Sequence, residues 1–201
     1  MNEQPLLIPD AAGWRAWLDT NERSSDGVWL VLAKKGAASP TAVTYAQALD
    51  EALCSGWIDG QKRRRDAGTF LQRFTPRRRD SIWSQRNVGL VTALAEQGRM
   101  RPRGQAEVER AQLDGRWERA YAGSATAEMP EDLAAALAAS PGAAARFAAL
   151  TAGARYSLLL SIMTATPAIR DQRISALIRR LDSAEPNGRI AGRDSNGRGR
   201  N

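Results

Sequence analysis

The sequence predicts an α+β protein, in which a small antiparallel sheet or hairpin packs with several helices and the C-terminal part is entirely helical. Strand-like patterns at residues 28–34 and 57–74 supply the sheet. Helix-start signals recur from Pro130 onward with no strand pattern between them. At 201 residues, 43% of them hydrophobic, the chain is long enough to bury one sizeable core.

The first strand is expected to follow a capped helix. Asp10 can cap a helix in which Trp14 and Trp17 fall on one face, so both tryptophans are expected in the core. Residues 28–34 (VWLVLAK) are rich in β-branched and apolar side chains and follow turn-forming residues. That combination predicts a buried strand.

A second helix and a hairpin come next. Thr44–Gln47 has the form of a capping box, and Gly56 suits the left-handed position that follows a helix. Residues 57–60 are then expected to pair with residues 69–74, since Asp66-Ala67-Gly68 supplies turn chemistry between them.

The chain after the hairpin is predicted to be helical. Pro76 blocks extension of the second hairpin strand, and either Asp80 or Ser81 can cap a helix that reaches roughly to Gly98. Residues 102–114 form a further predicted helix. We therefore expect residues 1–183 to form a single α+β body with a helical subregion at 130–183, and residues 184–201 to be a disordered basic tail.

Composition narrows the classes of function. Histidine is absent and Cys54 is the single cysteine, so we expect no metal site and no cofactor. No apolar stretch is long enough to span a bilayer, and the N-terminal residues lack the features of a secretory signal. These observations predict a cytoplasmic protein with no membrane partner, whereas its oligomeric state is left open.

The positive charge is concentrated in one window. Residues 61–86 contain nine basic residues and two acidic ones, which equals the whole surplus of +7. The run Lys62–Arg65 is expected at the tip or along one face of the hairpin. Clustered charge of one sign attracts anionic partners more strongly than the same charge spread evenly.

Arginine and tryptophan recur together in this window, which is a composition typical of binding sites. Guanidinium groups match phosphates and carboxylates, and aromatic faces accept planar groups. The candidate ligand-binding residues are Trp57, Arg73, Phe74, Arg77, Arg78, Ser81, Trp83 and Asn87, with Lys34 and Lys35 at the end of the first strand. We expect Trp57, Asp59, Arg73, Arg77 and Trp83 to come together. The alternative is that the aromatic residues fill the core and the arginines form a solvated face.

Three kinds of function fit these residues. The first is a binding or protection protein that holds an anionic or planar small molecule. The second is a hydrolase-type enzyme acting on a reactive toxic molecule, with Asp59 as general base or nucleophile, although an Asp-Gly pair is also common in turns. The third is non-specific binding of nucleic acid by the basic patch 61–86, because no sequence-reading motif is present.

Several of these motifs also resemble those of a known family. VWL with Lys34-Lys35, ALDEALCSGWIDGQKRRRD and FLQRFTPRRRDSIWSQRNV, together with the helical end from Pro130, are similar to the YdeI/OmpD-associated or bacteriocin-protection family. The resemblance implies bacterial origin, cytoplasmic residence and a link to self-resistance against toxic compounds. The Ala-Lys pair that precedes the last helix in the family is missing, since residues 164–170 read TATPAIR.

Overall fold

The computed structural model describes residues 4–183 and confirms the α+β class. Within these residues lie eight helices and one three-stranded antiparallel sheet. The chain divides into two compact units, of which the first ends at Thr126 and the second begins at Ala127. The sheet belongs to the first unit and the second unit is helical. The single folding body expected for residues 1–183 stays a prediction, because this division reports proximity within the fold and not the cooperativity of folding.

Two capped helices open the first unit. Helix α1 spans Ala11–Asn21, and the Asp10 carboxylate accepts a hydrogen bond of 2.8 Å from the amide of Gly13. Helix α2 spans Tyr45–Cys54 and begins with the predicted capping box at Thr44. Gly56 follows α2 with a φ of +70°, a backbone conformation that favours glycine.

The sheet has the order β1-β3-β2. Strand β1 spans Val28–Ala33, β2 spans Trp57–Arg64 and β3 spans Thr69–Pro76. Strands β2 and β3 form the predicted hairpin, and their pairing shifts register between Asp59 and Lys62. Strand β2 is longer than expected, so the basic residues 62–64 lie in a strand at the edge of the sheet.

The pleat of the sheet decides which side chains share a face. Phe74 pairs with Asp59 on one side and with Val28 on the other, and its ring lies 5.6 Å from the ring of Trp14 on α1. Arg73 pairs with Trp29 and therefore faces the opposite side of the sheet. Phe74 and Asp59 thus lie on the helix-covered face, and Arg73 and Trp29 lie on the other.

Two further helices belong to the first unit. Helix α3 spans Gln85–Glu96 and α4 spans Pro102–Leu113. The predicted start of α3 at Asp80 or Ser81 was wrong, because the Ser84 side chain caps the helix by accepting from the amide of Asn87.

Helix α3 starts late because the carbonyls of the residues before it accept hydrogen bonds from groups outside the helix. The carbonyl of Ser81 accepts from Arg116, that of Ile82 from Arg77, and that of Trp83 from the amide of Tyr121. Carbonyls bound in this way are not the acceptors of a helix that continues through them. Residues 77–84 therefore form a fixed connection between β3 and α3.

The core of the first unit is built on aromatic side chains. Trp14, Trp57 and Phe74 are completely buried, and Trp17 stacks on Trp14 at a centroid distance of 5.2 Å. The indole nitrogen of Trp14 donates to the carbonyl of Ala48. The prediction that Trp14 and Trp17 pack in the core is confirmed.

A buried ion-pair network ties α2 to the start of α4. The Glu51 carboxylate lies 2.7 Å from the guanidinium of Arg99 and 2.9 Å from that of Arg101. Arg101 also donates to the hydroxyl of Ser55 and pairs with Asp19 on α1. Because Glu51 is buried and has both partners, this network fixes how the elements around it pack.

The second unit contains four helices within its described residues, 127–183. They are α5 (Glu131–Ala138), α6 (Pro141–Ala149), α7 (Ala152–Met163) and α8 (Pro167–Ser183). Their buried side chains form a separate apolar core made of Leu133, Leu137, Ala143, Phe147, Leu159, Ile162, Ile174, Leu177 and Leu181. The helical end expected from Pro130 is therefore confirmed, whereas the predicted tail at 184–201 lies outside the described residues.

None of the helices in residues 4–183 combines the length and the apolar character needed to cross a lipid bilayer.

Candidate functional site

A recess opens on the helix-covered face of the sheet, beside the irregularity in β2. It has a volume of about 310 Å³ and is lined by Tyr45, Asp59, Lys62, Phe70 and Gln72. Its lining combines two aromatic rings with an amide, a carboxyl group and an ammonium group. Such a mixture can hold the face of a planar molecule and fix its polar groups.

The shape of the recess depends on the bulge between Asp59 and Lys62. The side-chain amide of Gln72 donates to the carbonyls of Gly60 and Gln61, at 2.9 Å and 3.2 Å. These carbonyls lie where the ladder between β2 and β3 shifts, and Gln72 is only 3% exposed. Gln72 therefore supplies the hydrogen bonds that the two carbonyls of the bulge lack in the ladder, and it stabilises the local backbone that directs the neighbouring side chains.

Asp59 and Tyr45 form a hydrogen-bonded pair at one end of the recess. The Tyr45 hydroxyl donates to a carboxylate oxygen of Asp59 at 2.7 Å. Burial, and next the contact with Asp59, raise the pKa of Tyr45 to about 12. The guanidinium of Arg86 lies 5.6 Å from the Tyr45 ring and opposes that rise. The phenol therefore stays protonated at neutral pH and orients the carboxylate.

The other end of the recess carries the positive charge. The ammonium of Lys62 lies 4.2 Å from the centroid of the Phe70 ring. An ammonium group over an aromatic face remains available to an anion that approaches from the open side. The recess thus presents an anion-binding group and a hydrogen-bond acceptor at its two ends.

Two of the predicted ligand-binding residues belong to the core. Trp57 is completely buried, and its indole nitrogen donates to the carbonyl of Glu22. Phe74 is also completely buried, against Trp14. Both side chains pack in the core on the same face of the sheet as Asp59, and neither lines the recess.

The basic candidates near β1 lie elsewhere. The Arg73 guanidinium carbon is 6.0 Å from the ring of Trp29, on the face of the sheet opposite to Asp59. The ammonium of Lys34 donates to the carbonyls of Asp66 and Ala67 in the hairpin turn, and Lys35 is exposed.

The connection 77–84 brings another pair together. The guanidinium carbon of Arg77 lies 3.5 Å from the centroid of the Trp83 ring, and both residues are buried. Arg78 and Ser81 close a turn there, since the amide of Arg78 donates to the Ser81 hydroxyl. Asn87 lies in the first turn of α3 and is buried.

The five residues expected to converge are divided among several places. Asp59 lines the recess, Trp57 is buried in the core, Arg73 lies on the opposite face, and Arg77 with Trp83 forms a separate buried pair. The sequence-based prediction missed Tyr45, Phe70 and Gln72, and it considered Lys62 only as part of the basic run 62–65. Tyr45 lies in a helix and Gln72 in a strand, and nothing in the local sequence marks either as a site residue. Only the fold places them beside Asp59.

Cys54 does not belong to the site. It is 1% exposed, and burial raises the pKa of its thiol. A buried thiol with a raised pKa is a poor nucleophile at neutral pH, so Cys54 is a structural residue.

Two family models match this chain, one within the first compact unit and the other over the helices of the second. The family described as domain of unknown function DUF8412 matches residues 6–107, about half of the chain. The family described as bacteriocin-protection, YdeI or OmpD-associated matches residues 126–183, the helical second unit. No curated protein and no solved structure matches the chain significantly.

The YdeI/OmpD-associated resemblance is confirmed, and the matched segment is the C-terminal one. The motifs of β1, α2 and the hairpin that first suggested it lie within the span of the other family. Arg170, which keeps its place in the divergent segment 164–170, pairs with Asp132 on α5 and donates to the carbonyl of Ile162. The chain therefore belongs to the DUF8412 family, whose model covers residues 6–107, and its residues 126–183 match the family described as bacteriocin-protection, YdeI or OmpD-associated.

Proposed function

We propose that this chain is a cytoplasmic bacterial protection protein that binds a small anionic or planar molecule in the recess between Asp59 and Lys62. The observation that carries the proposal is the placement of a carboxylate, an ammonium and two aromatic faces around one cavity of about 310 Å³. If the side chains that line this cavity served only to pack the core, we would expect them to be mostly apolar. Convergent polar groups beside aromatic faces are instead typical of ligand sites.

The family that matches residues 126–183 supports the proposed protective role. Its description refers to bacteriocin protection, and residues 126–183 match it. A protein that confers tolerance by binding needs a pocket and no nucleophile. The recess meets that requirement with Lys62 for an acidic group and the ring of Phe70 for a planar one.

The ligand chemistry follows from the two ends of the recess. An acidic or strongly accepting group would bind at Lys62, and a planar part would lie against Phe70 and Tyr45. A hydrogen-bond donor on the same molecule would reach Asp59, whose carboxylate is already oriented by the Tyr45 hydroxyl. A small aromatic acid with a donor group opposite the acid has this pattern.

Hydrolysis is the first alternative use of the same site. In that mechanism the Asp59 carboxylate would take a proton from a water molecule as the water oxygen bonds to the acyl carbon of an ester or amide whose acidic group is held by Lys62. The acyl bond to the leaving alcohol or amine would then break, and the protonated Asp59 would return the proton to that leaving group. Binding alone and hydrolysis both need Lys62, but only hydrolysis yields a product. A variant with Asp59→Asn would then keep binding and lose turnover.

Nucleic-acid binding is the second alternative and would use a different surface. Arg63 and Arg64 are exposed on the edge strand, and Arg78 and Arg79 are exposed in the following connection. These groups can contact phosphates without any contribution from the recess.

A survival assay tests the proposal. A sensitive bacterial host would express the full chain and be challenged with a panel of bacteriocins and small toxic aromatic acids. We expect the wild type to protect against at least one compound, and we expect Lys62→Gln and Tyr45→Phe to lose most of that protection at equal protein level. Lys35→Gln is the matched control, because this lysine is exposed away from the recess.

Two outcomes would contradict the proposal. One is that no compound in the panel is tolerated better by cells with the wild-type protein. The other is that Lys62→Gln protects as well as Lys35→Gln does, which would remove the recess from the account.

A further inference from the structure

Strand β2 forms an open edge of the sheet in the part of the chain that the structure describes. The strand order is β1-β3-β2, so β2 has β3 on one side and no described strand or bridge on the other. The outer side of β1 differs, because Val31 and Ala33 donate from it to the carbonyls of Leu6 and Val43. The backbone groups of β1 are therefore used on both sides, and those of β2 on one.

The hydrogen bonds of β1 show which residues of β3 direct their backbone groups towards β2. Leu6 lies on the outer side of β1, where it accepts from the amide of Val31 and donates to the carbonyl of Trp29. Backbone groups alternate in direction along an antiparallel strand, so Leu30 bonds to its partner Gln72 on β3. The residues of β3 on either side of Gln72 consequently bond to β2.

The same alternation decides which groups of β2 point outward. Leu71 precedes Gln72 and pairs with Arg63, so the backbone of Arg63 is used within the sheet. The N–H and C=O groups of Lys62 and Arg64 then point away from the sheet. No described residue bonds to these groups, and residues 60–67 are exposed. Two donors and two acceptors thus face outward within three residues.

The side chains of this edge are all basic and alternate between the two faces of the sheet. Lys62 and Arg64 lie on the helix-covered face, the latter opposite Phe70. Arg63 lies on the other face, with its guanidinium carbon 4.0 Å from the ring of Trp29. Among the described residues, no acidic side chain lies within ion-pair distance of these three cations. The edge therefore presents positive charge together with unpaired backbone groups.

This combination selects the kind of molecule that can pair with the edge. A second copy of the same strand would place like charges opposite each other, which disfavours self-association. A nucleic acid can contact the basic side chains, but its phosphates are acceptors only and cannot use the outward carbonyls of Lys62 and Arg64. An acidic polypeptide strand supplies both the opposite charge and the alternating donors and acceptors.

We propose that the outer edge of β2 at residues 62–64 binds an extended acidic segment of a partner protein, which adds to the sheet as an antiparallel strand. Acidic residues alternate with apolar ones in that segment. The acidic side chains lie beside Lys62 and Arg64, and the apolar side chain between them packs against the aliphatic part of Arg63. This inference goes beyond the recess, because Arg63 and Arg64 do not line it, although Lys62 takes part in both.

The test uses the full chain and a capped seven-residue peptide in which Val and Glu alternate. Amide hydrogen exchange, followed by NMR, reports on the backbone of residues 62–64. We expect the peptide to slow exchange at Lys62 and Arg64 in a saturable manner and to leave Arg63 unchanged, because the outward amides gain an acceptor and the inward one already has its own.

A charge variant tests the contribution of the side chains. Changing Arg63 and Arg64 together to Gln should weaken binding of the peptide by about fivefold, since exposed ion pairs contribute modestly. The matched control changes Arg179 and Arg180 to Gln, which removes the same charge from exposed positions of α8 and should leave the affinity unchanged.

Two altered peptides separate strand pairing from charge. In one, the amide nitrogen of each Glu carries a methyl group, which removes the donors that face β2 and keeps the acidic charge. In the other, Lys replaces each Glu. We expect neither peptide to slow exchange at Lys62 or Arg64.

Three results would overturn the proposal. The first is that exchange at Lys62 and Arg64 does not slow with the Val and Glu peptide. The second is that the N-methylated peptide binds as tightly as the unmodified one, which would reduce the edge to a charged surface. The third is that duplex DNA binds more tightly than the peptide at the same ionic strength and loses affinity in the double variant, which would assign the edge to nucleic acid.

The recess is tested separately. In the variant with Arg63 and Arg64 changed to Gln, the ring signals of Tyr45 and Phe70 should still respond to a small aromatic acid. Failure of the edge and failure of the recess therefore give different results.

Discussion

The Tyr45 hydroxyl donates a 2.7 Å hydrogen bond to the carboxylate of Asp59, joining the first residue of α2 to the edge strand of the sheet. Burial and this contact raise the pKa of Tyr45 to about 12. The folded protein therefore holds the phenolic proton more tightly than the unfolded chain, whose tyrosines titrate near pH 10. The associated stability is fully present below about pH 10 and is lost as the pH rises towards 12.

Alkaline titration checks this relationship. The tyrosinate absorbance of the wild type minus that of Tyr45→Phe should give a transition well above pH 10. In urea titrations the wild type should lose more stability between pH 9 and pH 11 than Tyr45→Phe does. A difference spectrum with a midpoint close to pH 10 would show that neither burial nor the hydrogen bond to Asp59 favours the protonated phenol.

Gly104 marks the closest approach between α4 and the end of α2. A Cβ atom at this position would lie 2.1 Å from the backbone oxygen of Cys54, which is far inside van der Waals contact. Gly104→Ala should therefore lower the free energy of unfolding by about 3 kcal/mol, measured by chemical denaturation. Gly89→Ala is the matched control on α3, where a Cβ meets no atom within 4 Å. The control should be neutral or stabilising by up to about 1 kcal/mol, and equal losses of stability in both variants would contradict the packing described.

The ion pair between Asp132 and Arg170 links α5 to α8 in the second unit. The Arg170 guanidinium holds the pKa of Asp132 below its usual value. Its contribution to stability is present above the pKa of an unfolded aspartate, about 3.9, and is lost as the pH falls through the lower folded value. Because Asp132 is 40% exposed, solvent screening limits the effect of Asp132→Asn to less than about 1 kcal/mol at neutral pH. Glu131→Gln is the control in the same urea titrations, and a larger loss of stability in that variant would contradict the assignment.

The basic edge strand should be separable from the recess. Arg63 and Arg64 lie on β2, and the guanidinium carbon of Arg63 is 4.0 Å from the ring of Trp29. A double variant with both arginines changed to Gln should bind duplex DNA more weakly, with a salt slope reduced by about 0.9 for each phosphate that the protein no longer neutralises. The protection conferred in cells should remain. Changing the exposed Arg179 and Arg180 to Gln controls for total charge. If DNA affinity and protection fell together only in the edge-strand variant, nucleic-acid binding would replace the recess as the functional site.

Local signals in the sequence were sufficient for most element boundaries. Asp10 and the Thr44 capping box start α1 and α2 as predicted, because a cap satisfies backbone amides within three residues of itself. The start of α3 was missed because Arg77, Arg116 and Tyr121 bind the carbonyls of residues 81–83. Such competition between distant groups leaves no trace in local propensity.

The site was only partly predictable for the same reason. Asp59 was named from the sequence as a candidate general base or nucleophile, and it does line the recess. Arg73 and Phe74 are consecutive residues of β3, so their side chains face opposite sides of the sheet. Which of the two lies on the side of Asp59 depends on the hairpin register, which the sequence does not give. Tyr45 and Gln72 depend on the packing of α2 and on the bulge in β2, and those features exist only in the folded chain.

The most direct test of the proposed function is to map where small aromatic acids bind. 4-Hydroxybenzoate and 4-aminobenzoate, which carry a donor group opposite the acid, would be titrated into the isotopically labelled full chain, with acetate as the control that lacks a ring. We predict that the side-chain amide of Gln72 and the ring signals of Tyr45 and Phe70 shift with 4-hydroxybenzoate or 4-aminobenzoate, that acetate has little effect, and that Lys62→Gln abolishes the shifts. If neither aromatic acid moves these signals, or if the shifts persist in Lys62→Gln, the recess is not the ligand site.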